Sequence, residues 1–266
     1  MRKTVLFLSM VLFLVTGCFA AKKIVQTDLS GIFAHYGVEG CFAMYDMEKD
    51  VYTVYNLERC NTGFLPASTF KIFNSLVILE TGAVSNTKQV IEWDGTKYDV
   101  PEWNSDQTLE SAFKVSTVWV FQKLARIVGE KDVLFYLNLA DYGNKDISAG
   151  IDLFWLEGGF RITPLEQVDF LARLVKGDLP FGKDTMSKVT AMMFHEEGPG
   201  YAIYAKTGFA ARVKPNIGWW VGFVDVPGNT YCFALNIQPI GNPGADFGKA
   251  RIGIAKAALQ KLGVLP

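Results

Sequence analysis

Histidine is almost missing from this 266-residue chain, which has only His35 and His195. A catalytic serine usually takes its base from histidine, and zinc is usually held by it. Neither histidine stands in a recognisable triad, and no Gly-x-Ser-x-Gly elbow is present. The run His195-Glu196-Glu197 is not a His-Glu-x-x-His helix, and no Cys/His cluster has zinc spacing. Both histidines read as surface or structural residues, and no metal is indicated. An excess of charge is missing too: 26 basic side chains face 27 acidic ones, a net charge of −1. That balance gives no electrostatic case for nucleic acid or an anionic membrane surface. There is no internal repeat, low-complexity tract or long linker. Gly177-Asp178-Leu179-Pro180-Phe181-Gly182-Lys183 mimics a phosphate loop, but Asp184 stands where a hydroxyl is needed and a helix, not a strand, precedes it.

No apolar run reaches membrane-spanning length. Met1-Arg2-Lys3 followed by Val5 to Val15, about eleven residues, is too short for a span and fits a secretory signal over residues 1–20. Cys18-Phe19-Ala20 before Ala21 suits ordinary cleavage, whereas Val15-Thr16-Gly17-Cys18 suits lipidation of Cys18. Either way an extracytoplasmic, for instance periplasmic, location is expected, with membrane anchoring only through a lipidated Cys18.

Cysteine is scarce as well. Besides Cys18 there are Cys41, Cys60 and Cys232. An exported protein favours a bridge, and a hairpin of Gly40–Asp46 and Val51–Asn56 would bring Cys41 toward Cys60. Cys232, on an apolar strand, reads as a buried thiol.

Half of the residues are hydrophobic and one fifth charged, enough for one substantial core in residues 21–266. After the hairpin the chain reads as mostly helical: Ser68–Thr81, Thr108–Val128, Lys131–Ala140, Pro164–Val175 and Thr185–Phe194. Strands return at Ala202–Thr207, Ile217–Asp225 and Tyr231–Ile237, and Asp246–Leu262 forms a last helix. The expectation is an α/β (α+β) fold. One antiparallel sheet is built from both termini (about 21–63 and 196–266) and flanked by helices, and a mainly helical region is inserted at about 64–195. A site belongs at the seam between the two parts.

One stretch carries chemistry: Pro66-Ala67-Ser68-Thr69-Phe70-Lys71. Ser68 and Lys71, three apart, share a helical face, and helix-end N–H groups favour negative charge on Ser68. With histidine and metal set aside, a serine enzyme needs lysine as its base. An ordinary lysine is protonated at neutral pH, and apolar surroundings such as Phe70, Ile72 and Phe73 lower its pKa. Alone, Ser-x-x-Lys is weak: Ser85…Lys88 and Ser111…Lys114 repeat it, and a serine at a helix start also serves as a cap. Ser116-Thr117-Val118 offers a second hydroxyl, read by itself as a mid-helix serine. Lys206-Thr207-Gly208 ends a strand with a cation, a hydroxyl and an unhindered backbone that suit a carboxylate.

Together and in this order, these stretches resemble the penicillin-recognising serine enzymes. Tyr142-Gly143-Asn144, Phe154-Trp155-Leu156-Glu157-Gly158 and Pro101-Glu102-Trp103-Asn104 sharpen the likeness to class D (oxacillinase-type) β-lactamases. The resemblance implies a β-lactamase/transpeptidase-like fold and small β-lactam substrates, with no cofactor beyond carbon dioxide. It implies Ser68 as nucleophile and Lys71 as general base after N-carboxylation. Trp155 would hydrogen-bond the carbamate while Val118 and Phe70 keep the site dry. Ser116 would relay a proton, Ser68 and Phe209 N–H groups would form the oxyanion hole, and Lys206, Thr207, Gly208 and Arg251 would bind substrate. Tyr142 and Asn144 would shape the adjoining loop. The rival readings are a penicillin-sensing domain that acylates without turnover and a D,D-peptidase.

Overall fold

The computed structural model describes residues 22–241 and 247–266. The signal segment and Cys18 lie outside them. Seven strands form one sheet: β1 (Ile24–Gln26), β2 (Val38–Asp46), β3 (Val51–Tyr55), β4 (Phe194–Gly198), β5 (Tyr201–Ala210), β6 (Ile217–Val226) and β7 (Asn229–Pro239), in the order β1-β3-β2-β7-β6-β5-β4. The two ends of the chain meet at the β2–β7 pairing, where Ala43 faces Ala234. The sheet is antiparallel except at β1, which runs parallel to β3 and departs from the expected all-antiparallel sheet. β1 is three residues long and solvent-facing, so it carries no alternating pattern long enough to read. β4, missed in the same way, has a charged, exposed pattern and lies at the opposite edge.

Nine helices accompany the sheet among the described residues: α1 (Ser30–His35), α2 (Leu57–Cys60), α3 (Lys71–Glu80), α4 (Leu109–Lys114), α5 (Val118–Val128), α6 (Glu130–Leu139), α7 (Pro164–Lys176), α8 (Lys183–Met192) and α9 (Phe247–Lys261). The core has two parts, one on each face of the sheet. On one face α1 and α9 cover Phe42, Trp220, Phe233 and Leu235. On the other, α3 to α8 pack through Phe73, Leu76, Phe121, Leu137 and Phe170 against Trp219, Val221 and Ala234. Strands buried on both faces read as continuous apolar runs, which is why β6 is apolar through Val224.

Two helix expectations are corrected, and both corrections make the site. The helix anticipated over Ser68–Thr81 begins as a tight 3-10 turn, Ala67–Phe70, before α3 starts at Lys71. The single helix anticipated over Thr108–Val128 is two, because Ser116 takes a left-handed backbone (φ +60°) between α4 and α5. A serine there is strained, and α4 opens on its own capping box, Thr108 and Ser111. The rival Ser111 is thereby spent on a cap, and Ser116 is not a mid-helix residue.

The Cys41–Cys60 bridge is likewise corrected. Both residues are buried free thiols, close enough for Cys41 to hydrogen-bond to Cys60, and Cys60 also faces the Tyr55 carbonyl at 3.6 Å. Cys60 is the last residue of the short helix α2, which follows β3 directly and takes it off the hairpin strand that would face Cys41. Cys232 is a buried thiol as expected, 3.8 Å from the Met47 sulfur.

Candidate active site

Ser68 stands in the Pro66–Phe70 turn, at the point where the sheet meets the helical part. Ala67 before it has φ +48°, a conformation costly for any residue with a Cβ, and its N–H is held by the Trp155 carbonyl at 3.0 Å. Gly208 of β5 presses against this turn. A Cβ there would lie 2.8 Å from the Pro66 carbonyl oxygen and 2.9 Å from Thr69 Cγ2, so only glycine permits the approach. That contact sets the Lys206-Thr207-Gly208 strand alongside the serine.

Lys71 is the first residue of α3, fully buried, with its Nζ 2.9 Å from Ser68 Oγ. Its Nζ also lies over the Phe121 ring, 5.1 Å from its centre. Phe70, next in the chain, is caged by Phe73, Tyr142, Phe154, Phe160 and the stacked Trp155. No carboxylate pairs with Lys71 among the described residues. Burial, and then the charge of Lys206, hold its amine well below the ordinary lysine range. Trp155 is fully buried and its indole N–H has no hydrogen-bond partner. An orphaned donor inside an aromatic cage is costly and calls for an acceptor.

Ser116 Oγ accepts from Lys206 Nζ at 3.1 Å, and that lysine also donates to the Thr207 carbonyl at 3.2 Å. Lys206 is buried over the Phe113 ring, and desolvation with the nearby Arg251 charge draws it down to about 7. Arg251 reaches from α9 to the Gly208 carbonyl, its Nη1 at 2.5 Å, while its Nε bonds the Gly248 carbonyl. Burial lowers it to about 10. Two basic side chains, Lys206 and Arg251, thus flank the strand beside Ser116 and Gly208. An anionic substrate group suits them.

The pocket over these groups has a volume of about 450 Å³ and is lined by Ser68, Ser116, Val118, Thr207, Phe209 and Arg251 among others. Sequence reasoning gave no role to other parts of its wall: Tyr98, Gln122, Leu156, Ala211 and Arg212. Arg212 pairs with Glu157 at 2.8 Å across the mouth, and Gln122 donates to the Asp152 carbonyl. No spacing rule marks such residues, since they come from a helix, α5, and from loops far apart in the sequence. Trp103 is placed by two indole bonds, its own N–H to the Val115 carbonyl and that of Trp119 to the Trp103 carbonyl. Tyr142 is buried, and Asn144 bonds the Gly159 carbonyl and the Arg161 N–H, so both shape the adjoining loop. Neither histidine lines the pocket: His195 packs edge-on to Trp220 and His35 to Tyr36.

Comparison with known proteins agrees with this geometry. The family model "Penicillin binding protein transpeptidase domain" matches residues 40–260. The chain is 40% identical over 234 residues to β-lactamase OXA-48 of Klebsiella pneumoniae, covering 88% of this chain and 87% of that one. Among solved structures, the class D β-lactamase YbXI from Nostoc superposes with a TM-score of 0.86 at 43% identity, over 90% of this chain and 99% of that one. The C-terminal domain of the Bacillus licheniformis BlaR penicillin-receptor superposes with a TM-score of 0.87 at 35% identity, over 93% and 99%. With a Ser-x-x-Lys turn, a left-handed serine and a Lys-Thr-Gly strand around one pocket, the chain belongs to the transpeptidase-fold serine enzymes and, among them, to the class D β-lactamases.

Proposed function

We propose that this protein hydrolyses the β-lactam amide of penicillin-type antibiotics through a Ser68 acyl-enzyme, with N-carboxylated Lys71 as general base for both steps. The observation that carries this is a fully buried lysine, 2.9 Å from Ser68 Oγ, with the orphaned N–H of Trp155 on the ring that stacks on the neighbouring Phe70. A neutral amine in a dry cage is the form that adds carbon dioxide, and the unpaired indole N–H suits a carboxylate acceptor beside it. Carboxylation releases one proton and turns Lys71 into an anionic base.

Ser68 Oγ loses its proton to Lys71 and attacks the lactam carbonyl carbon. The Ser68 and Phe209 N–H groups receive the developing oxyanion. Ser116 gives its proton to the lactam nitrogen as the C–N bond breaks, and Lys206, 3.1 Å behind it, restores that proton. The substrate carboxylate lies against Lys206, Thr207 and Arg251. The proton that Lys71 took from Ser68 passes through solvent to the deprotonated Lys206, and Lys71, again a base, deprotonates the water that attacks the ester carbon. The bond to Ser68 Oγ breaks and the serine regains its proton. In a host, such turnover would confer β-lactam resistance. The basic, apolar segment of residues 1–20 supports work outside the cytoplasm, as a released or Cys18-anchored protein.

A second reading, a sensor that acylates once and stops, is favoured by the likeness to the BlaR receptor domain. Steady-state assay of a chromogenic β-lactam with and without bicarbonate, beside Lys71→Ala, separates them. Turnover restored by bicarbonate at low pH and abolished in Lys71→Ala supports the hydrolase. Uptake of one equivalent with no further product, with or without bicarbonate, overturns it.

A further inference from the structure

Gln167 is an anomaly in α7. It is fully buried on a helix face otherwise made of Phe170, Leu171 and Leu174. A buried amide costs free energy unless every group finds a partner, and this one finds a partner at each end, one of them in the nucleophile turn. Its Nε2 donates to Thr69 Oγ1 at 3.0 Å, and the Thr69 hydroxyl donates to the Pro66 carbonyl at 2.8 Å. The Tyr142 hydroxyl donates to Gln167 Oε1 at 3.4 Å. All three side chains are buried.

The chain runs in one direction only. Thr69 has a single hydroxyl proton and gives it to Pro66, a carbonyl that only accepts, so toward Gln167 it must accept. The amide nitrogen therefore faces Thr69 and the amide oxygen faces Tyr142, whose phenol burial keeps protonated. Pro66 and Thr69 bracket the strained Ala67 and the serine itself. The Pro66 carbonyl oxygen is also the atom that a Cβ at Gly208 of β5 would meet first.

We propose that Gln167 is a positioning residue for Ser68: through Thr69 it locks the Pro66–Thr69 turn, and with it the aim of the serine at Lys71 and of its N–H at the oxyanion. This role rests on the Ser68 acyl-enzyme proposed above. It gives a reason for a glutamine inside an apolar helix face, and the left-handed Ala67 is the strain that the lock resists.

The test is single-turnover acylation by a chromogenic β-lactam in Gln167→Met, Gln167→Glu, Thr69→Val and the double variant Gln167→Met/Thr69→Val. Thermal midpoints are recorded beside the rates. Gln167→Met is expected to slow acylation at least tenfold with the non-covalent substrate affinity unchanged. Thr69→Val should do the same, and the double variant should be no slower than either, because one chain is cut at two points. Gln167→Glu adds a readout that packing alone would not move. As an acid it donates to Thr69 and accepts from Tyr142; as a carboxylate it only accepts. Its rate relative to wild type should therefore rise as pH falls, whereas the Gln167→Met ratio stays flat. The role is overturned if Gln167→Met lowers the thermal midpoint while its acylation rate stays within twofold of wild type. Multiplicative losses in the double variant, or a flat pH ratio in Gln167→Glu, overturn it too. A wild type that takes up no β-lactam would instead contradict the acyl-enzyme reading.

Discussion

Lys206 Nζ and Ser116 Oγ stand 3.1 Å apart in a buried setting where no carboxylate balances the lysine among the described residues. The hydroxyl belongs to a residue held at φ +60°, so backbone strain and proton transfer meet at one serine. The two are separable. Ser116→Gly keeps the turn without strain and deletes the hydroxyl. It is expected to leave the thermal midpoint equal or higher and to cut the acylation rate by about 10²-fold or more, the scale of a lost proton-transfer group. Stopped-flow kinetics beside thermal denaturation reads both; unchanged acylation would remove Ser116 from the relay.

The buried lysines set a pH dependence of stability. Burial and Arg251 hold Lys206 at about 7, and burial and Lys206 hold Lys71 well below its ordinary value near 10.5. In the unfolded chain both titrate near that ordinary value. From about pH 7 to 8 the unfolded chain thus binds protons that the folded one does not, and stability rises with pH. The slope is roughly 1.4 kcal/mol per pH unit for each lysine neutral only in the fold. Above about pH 8.5 the rise is opposed, because the Cys41 and Cys232 thiols and the Tyr52 phenol are pushed up in the fold and ionise first when unfolded. Urea denaturation in buffer free of carbon dioxide checks this. A flat or falling midpoint between about pH 7 and 8 contradicts it.

Gly208→Ala tests the approach of β5 to the nucleophile turn. The new methyl would stand 2.8 Å from the Pro66 carbonyl and 3.2 Å from Trp219 Cβ, forcing the strand away from Ser68. A stability loss of about 1–3 kcal/mol is expected from overpacking, with a fall in kcat of about 10²–10³-fold as the two oxyanion donors separate. Wild-type kcat in the variant would show that the contact does not set the oxyanion geometry.

The thiols make a simple chemical prediction. Cys41, Cys60 and Cys232 are buried and reduced, so in protein beginning after residue 20 a thiol reagent should find none until the chain unfolds, then three. One reactive thiol after non-reducing denaturation would mean that Cys41 and Cys60 are bridged.

The legibility of the chain followed physical range. Ser68 with Lys71, three apart on one turn, and Lys206 with Thr207, adjacent on a strand, were readable because their partners are local in sequence. Trp155 and Arg251 came only through resemblance, since nothing local marks one indole or one helix arginine. The α4–α5 break escaped the apolar periodicity because Ser116 interrupts it by backbone conformation alone. Gln167 was silent for another reason: its partners lie 98 residues away at Thr69 and 25 away at Tyr142. A polar residue at an apolar position of helix 164–175 was the one available signal.

The most direct measurement of the central claim is the time course of a chromogenic β-lactam in large molar excess over the purified protein, with bicarbonate present. The account predicts complete consumption of the drug, with Lys71→Ala halting after one equivalent or less. A wild type that itself halts at one equivalent, its Ser68 ester intact by mass spectrometry, would contradict the hydrolase and leave a penicillin sensor in its place.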